Sequence, residues 1–276
     1  MNSGSAIALL KLSRHFFVRR TVRIAIFGLT MAATASNAAS LTGVGYAQNF
    51  DSMGVDGTTP PTDWSLFTGP SGTSNSTWTS TISAAGVGSM LATTGALTAT
   101  SAPTATNNNG YNAALSPSTV ANRVLAISPT TVSGAALQLS LSNSTGAALT
   151  GLELSFDTVR FTSASSQNEL PGYWLFYSLD GSTWANVTSL NPSAATVPNS
   201  VGSASTTGAF AFAAAVAPGA SVLLRWVDDN AVQTSPDQII GLDNVTIAPV
   251  PLPTALPLLL SALGGLGLMT RRRGRA

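Results

Sequence analysis

Between residues 39 and 249 the apolar positions fall in short bursts that keep the two-residue period of a strand. Leu137, Leu139 and Leu141 alternate with Gln138, Ser140 and Ser142, and Leu152, Leu154 and Phe156 alternate with Glu153, Ser155 and Asp157. Successive strand side chains point to opposite faces, so each run predicts one face on a core and one in solvent. After Phe156 the apolar phase moves to Val159 and Phe161, which predicts a β-bulge near Asp157 and Thr158. Further bursts at 46–50, 77–83, 123–127, 174–179, 209–214, 222–227 and 239–247 predict strands, and polar clusters at 68–75, 104–109 and 191–205 predict loops between them. About ten short strands with almost no amphipathic helix predict an all-β fold, a two-sheet antiparallel β-sandwich.

The residues from Tyr173 to Trp184, YWLFYSLDGSTW, carry the clearest hairpin signal. Asp180-Gly181 tolerates the positive φ angles of a tight turn, with a return strand from Trp184. Alternation puts Trp174 and Phe176 on one face and Tyr173, Leu175, Tyr177 and Leu179 on the other, so both faces are apolar, the pattern of a strand buried between layers. Near the end, Leu223-Leu224-Arg225-Trp226 leads through Asp228-Asp229-Asn230 into Leu242-Asp243-Asn244-Val245. Together with the opening Asn49-Phe50-Asp51-Ser52, Pro60-Pro61 and Trp64, this order is similar to that of many secreted jelly-roll domains.

The two ends have a different texture. Residues 256–269 are apolar and uncharged, and extending the stretch back to Leu252 gives a length of roughly 27 Å as a helix, enough to span a thin membrane. Arg271, Arg272, Arg273 and Arg275 follow and predict a cytoplasmic C-terminus by the positive-inside rule. Val250-Pro251-Leu252-Pro253, the apolar run with Leu258-Leu259-Leu260-Ser261 and Leu263-Gly264-Gly265-Leu266-Gly267-Leu268, and the arginine cluster together resemble the sorting tail of the PEP-CTERM proteins of Gram-negative bacteria. Leu252 stands where that family usually has glutamate. The resemblance covers 250–276 and implies recognition by an exosortase, which removes the tail after export, and an association of the mature protein with extracellular polysaccharide. At the other end Lys11, Arg14, Arg19, Arg20 and Arg23 precede an apolar run at 24–35 and the small-x-small site Ser36-Asn37-Ala38, the pattern of a signal peptide cut by signal peptidase between Ala38 and Ala39. The expected organisation is a signal peptide at 1–38, a β-sandwich at 39–249, and a sorting tail with a single transmembrane helix at 250–276.

Removing those ends changes the charge. Nine of the 12 basic residues lie in them, leaving Arg123, Arg160 and Arg225 against eleven acidic residues, a net charge of −8 on the domain. So few cations exclude nucleic acid as a partner, because its binding rests on neutralising phosphates, and they disfavour anionic membrane surfaces. His15, the only histidine, lies in the signal peptide, the only lysine is Lys11, and there is no cysteine. A Ser-His-Asp triad, a thiolate nucleophile, a Schiff-base amine and the usual zinc ligands are all missing from the domain.

Three candidate sites remain. Trp174, Tyr177 and Trp184 offer rings that could stack on sugars, with core packing as the competing role. Carboxylate chemistry on a polysaccharide needs two acids flanking one bond, but Glu153 alternates outward, Glu169 sits in a polar loop, and Asp228-Asp229 reads as a loop turn. Asp51 near the first strand and Asp243 near the last would meet if the terminal strands pair, and could then hold a structural calcium; alternatively Asp243 accepts hydrogen bonds from Arg225. The expectation is an exported, surface-associated binding or structural protein without an enzyme activity or organic cofactor, a polysaccharide hydrolase or lyase being the alternative.

Overall fold

The computed structural model describes residues 37–69, 82–93, 96–104, 110–129, 132–162, 172–193, 200–230 and 238–252. The expected signal peptide up to Ser36, Glu169, Pro253 and Arg271 to Arg275 lie outside them, and so does most of the strand expected at 77–83. Among the described residues no helix is long and apolar enough to cross a membrane.

The alternating runs become the strands that organise two mixed sheets. The first holds β1 (Ala39–Leu41), β3 (Trp64–Thr68), β4 (Leu91–Ala92), β8 (Gly134–Asn143), β10 (Trp174–Ser178), β11 (Ala185–Asn186) and β13 (Ser221–Asp229). The second holds β2 (Tyr46–Gln48), β5 (Thr98–Thr100), β6 (Tyr111–Ala114), β7 (Arg123–Ile127), β9 (Leu149–Arg160), β12 (Gly202–Val216) and β14 (Ile240–Pro251). The sheet orders are β11-β10-β13-β8-β3-β4 and β12-β9-β14-β7-β6-β5. In each sheet one long strand gives an edge to two short ones. β8 takes β3 antiparallel at 135–139 and β1 parallel at 141–143, and β14 takes β7 at 240–242 and β2 at 245–247.

Packing between the sheets follows the period. Leu137, Leu139 and Leu141 of β8 and Leu224 and Trp226 of β13 meet Leu152, Leu154 and Phe156 of β9 and Leu242, Val245 and Ile247 of β14 in one core. Burial of this apolar surface is the main source of stability, which no disulfide supplements. The two-sheet sandwich is therefore as expected, with two differences: β1 pairs parallel with β8 and β5 with β6, so the sheets are mixed instead of antiparallel, and the outer face of the first sheet is also covered. Ile82, Val87 and Met90, carried by α1 (Ala84–Gly88) and its flanks, pack with Ala136, Phe176, Trp184 and Val227 on the first sheet. Arg225 lies under this cover, its guanidinium 3.8 Å from the centre of the Phe67 ring and 4.2 Å from that of Trp184. It donates to Gln138 Oε1 at 2.7 Å and to the Val87 carbonyl, and burial lowers its pKa to about 10.

The phase change in β9 has the same origin. Residues 151–160 keep an unbroken register with β12, and Val159 and Phe161 stay on the outer face, where they meet Tyr111, Ala113, Val124, Ala126 and Ile239. The bulge expected at Asp157 and Thr158 is instead on the neighbouring strand. Between Asp243 and Thr246 the pairing of β14 with β9 slips, and Asn244 takes a left-handed φ of 49°. An asparagine tolerates that conformation better than most residues.

Two further expectations change. The hairpin forms, with Phe176 opposite Asn186 and Tyr177 opposite Ala185, but its loop is six residues long. Asp180 organises it by accepting from the Ser182 and Thr183 N–H groups at 2.8 and 2.6 Å, bonds that hold its carboxyl below the usual range. The expected loop at 191–205 ends early, because Gly202 to Ser205 already belong to β12. Their serine and alanine side chains give little apolar signal, and pairing with β9 decides the conformation.

Candidate functional site: a polar shelf on the second sheet

The inward set of β9, Leu152, Leu154 and Phe156, leaves Glu153, Ser155 and Asp157 on the outer face. Register then builds three rows across β12, β9 and β14. Ser205, Asp157 and Asp243 form the first, Thr207, Ser155 and Thr246 the second, and Ala209, Glu153 and Ala248 the third. Ala47 of β2 extends the middle row.

Hydrogen bonds fix the first two rows. Ser205 Oγ donates to Asp157 Oδ1 at 2.5 Å, Asn244 Nδ2 donates to Asp157 Oδ2 at 2.8 Å, and the hydroxyls of Thr207 and Ser155 are 3.0 Å apart. The bulge is what brings the Asn244 amide to this face. A cleft of 560 Å³ lies over Glu153, Ser155, Thr207, Thr246 and Tyr46, and one of 340 Å³ adjoins it over Asn49 and Asn244. Tyr46 secures the β2 edge: its hydroxyl donates to Asp63 Oδ2 at 2.5 Å and accepts from Trp64 Nε1 at 2.8 Å, and burial with the Asp63 contact raises its pKa. The shelf offers hydroxyls, amides and carboxylates with alanines between them, groups that match the hydroxyls of a polymer lying flat.

The aromatic candidates are elsewhere. Tyr177 is 8% exposed, its ring 5.2 and 5.4 Å from those of Phe210 and Phe212, and its hydroxyl accepts from the Ala213 N–H at 3.0 Å. Trp184 is 5% exposed beneath Arg225, and Trp174 is half-buried against the same cluster. Tyr177 and Trp184 are thus core residues closed to a sugar, and Trp174 keeps only part of its ring at the surface. The competing role of core packing is the one the structure supports.

Asp51 and Asp243 do approach each other, because β2 near the start pairs with β14 at the end. Asp243 is buried, and its pKa is pushed up to about 6, first by burial and then by the Asp157 and Asp51 charges. Asp51 accepts from the Arg123 N–H and from Asn49 Nδ2, both at 2.8 Å. Among the described residues no group of three or more acidic or histidine side chains is placed to hold a metal. Arg225 does not reach Asp243, since it lies under the outer cover of the other sheet.

Asp228 and Asp229 are also not a loop turn. Both are fully buried at the end of β13. Gln238 donates to Asp228 Oδ1 at 2.6 Å and accepts from Arg160 Nη1, while the buried Tyr173 hydroxyl donates to the Ile240 carbonyl at 2.8 Å. This polar cluster braces β9, β13 and the entry to β14, and local composition gave no sign of it. Beside Arg160 a 460 Å³ cleft runs past Phe161, Pro103 and Leu115.

The expected tail motif begins inside the last strand. Ala38 is exposed and Ala39 opens β1, whereas Val250 and Pro251 lie opposite Gly151 and Leu149 in β14. The Leu252 N–H donates to the Ala148 carbonyl at 2.9 Å. The last strand thus passes the boundary expected after Pro249 by two residues.

No family model matches the chain, and no curated protein does. Among solved structures it is similar to the enzymatically active domain of tailspike protein 4 of bacteriophage CBA120, at 11% identity over 47% of this chain with a TM-score of 0.28. It is also similar to a cyclase from Fischerella sp. TAU, at 16% identity over 48% of the chain with a TM-score of 0.30. An arabinose-bound α-L-arabinofuranosidase matches at 10% identity over 77% of the chain with a TM-score of 0.34. The chain spans 16%, 66% and 29% of these three proteins, and at such TM-scores the likeness carries no argument about fold or activity.

Proposed function

We propose that this protein is exported, sorted through its Val250-Pro251-Leu252-Pro253 tail by an exosortase-type system, and binds extracellular polysaccharide on the polar shelf of its second sheet without cleaving it. The supporting observation is the row of Thr207, Ser155 and Thr246 with Asp157 and Asn244 beside it, hydrogen-bonding groups held at strand spacing under an open cleft. A jelly-roll descent of the sandwich belongs to the same proposal and is supported by the pairing of β2 with β14. In this reading signal peptidase cuts before Ala39, the inner membrane holds the precursor transiently with Arg271 to Arg275 in the cytoplasm, and the mature form stays at the cell surface.

Hydrolysis fits less well. Glu153 and Asp157 share a face four residues apart on one strand, about 13 Å at 3.3 Å per residue, beyond the 5 to 9.5 Å that paired glycosidase carboxylates need, and Asp243, which does lie opposite Asp157, is buried away from a substrate. Affinity electrophoresis of the exported protein through gels containing the polysaccharide of the producing cells tests the binding. Retardation is expected, and the combined substitution of Ser155, Thr207 and Thr246 by alanine should weaken it at least tenfold at unchanged melting temperature. Equal retardation of that variant sinks the shelf, and release of reducing ends that stops in Glu153→Gln sinks the non-catalytic reading. Mass spectrometry of surface material tests the sorting. The C-terminus is expected at or beyond Leu252, since an earlier cut requires peeling Val250 and Pro251 from β9, and intact Arg271 to Arg275 would remove exosortase processing.

A further inference from the structure

Among the described residues the longest strand at the end of a sheet is β12. This strand is 15 residues long, forms one end of the second sheet, and among the described residues pairs only with β9. Its sequence, GSASTTGAFAFAAAV, contains no charged residue and no proline. The ladder is regular from 202 to 211 and slips beyond it, between Ala211 and Val216, where the Ala213 N–H is taken by the Tyr177 hydroxyl, so the regular edge is 202–211. Natural edges are normally blunted by charge, proline, bulges or short length, and a long regular edge without these is a template for strand addition. The other terminal strands, β4, β5 and β11, have two or three residues each.

We propose that β12 is a self-association surface, pairing antiparallel with β12 of a second copy so that the two second sheets become continuous. Three observations favour a second copy as the occupant. Among the described strands only another β12 offers an unpaired edge of matching length. Antiparallel pairing about a two-fold axis sets each residue opposite a residue of the same uncharged stretch. A domain with eleven acidic residues and three arginines repels its own copies over most approaches, and β12 is where two copies meet without juxtaposed carboxylates. Exposed Ser203, Ala209, Ala211 and Ala213 then lie on the surface flanking the junction. The pairing does not depend on the polysaccharide reading, and if both hold it joins two shelves edge to edge.

The absence of cysteine makes the test clean. Single substitutions Ser203→Cys, Ala209→Cys, Ala211→Cys and Ala213→Cys, with Ala85→Cys on the exposed part of α1 as a control, are introduced into the full chain and oxidised mildly in the producing cells. A two-fold axis crossing β12 predicts disulfide-linked homodimer at least fivefold above the control, peaking at the position nearest the axis and falling to either side. The peak should disappear when lysine replaces the residues two positions before and after it, with the melting temperature unchanged. Equal cross-linking at all positions including Ala85, no cross-linking above the control, or linkage to a different protein overturns the proposal.

Discussion

Replacing Trp226 by alanine is expected to cost roughly 3 to 5 kcal/mol, a third or more of the stability of an ordinary domain. The side chain is fully buried on β13 of the first sheet. It sits 5.4 Å from the ring of Trp64 and 5.8 Å, edge to face, from that of Phe156 on β9 of the second sheet. Phe50 stacks edge to face on Trp64 at 5.0 Å, so the cavity would open under a run of four rings that joins the sheets. Neither sheet can close on the gap without disturbing the register of β8 and β13, which is continuous for nine residue pairs. Trp226→Phe separates packing from polarity. It keeps a ring and deletes a buried indole N–H that has no hydrogen-bond partner among the described residues, so its cost should be less than half that of alanine. Urea unfolding followed by circular dichroism measures both. A loss under about 1 kcal/mol for Trp226→Ala would mean that the ring run does not couple the two sheets.

What could be read in the residues, and what could not, divides by sequence distance. The core face of β8, β9 and β10 was legible because alternation is a local signal, and so was the packing of Trp174 to Leu179 on both sides. The outer-face packing was not, because its partners come from afar: Ile82, Val87 and Met90 cover Phe176 and Val227, and Tyr111 and Val124 share an outer-face cluster with Val159. The same distance hid the buried polar cluster. Asp228-Asp229-Asn230 has the composition of a turn, yet its burial is decided by Gln238 and through it by Arg160, 78 residues from Gln238 in the chain. The shelf was half legible. Outward Glu153, Ser155 and Asp157 followed from the period, but their neighbours Thr207, Thr246 and Asn244 required the registers of β12 and β14 and a bulge that alternation had placed on the wrong strand.

Asp243 should make the domain less stable as pH rises from about 4 to about 7, opposite to the usual behaviour of a carboxylate. Its folded pKa of about 6 lies above the unfolded value of about 3.9, because burial disfavours the charge and the Asp157 and Asp51 carboxylates repel it. Between those values the folded state holds a proton that the unfolded chain has released. Stability from this group is complete below about pH 4 and is lost as pH climbs through 6, by up to about 3 kcal/mol for a shift of two pH units. Asp243→Asn keeps an acceptor for the Asn244 N–H and removes the charge. The variant should therefore melt higher than the wild type at pH 7 and close to it at pH 4, with the difference developing around pH 6. A difference curve that is flat from pH 4 to 7 would show that Asp243 is not held protonated. A chelator arm addresses the calcium expectation in the same experiment. An ion shared by Asp51 and Asp243 would keep both carboxylates charged and stabilising at pH 7, so chelation would lower the wild-type melting temperature and leave Asp243→Asn unchanged. The intrinsic repulsion without an ion gives the reverse order, the wild type melting below the variant with or without chelator.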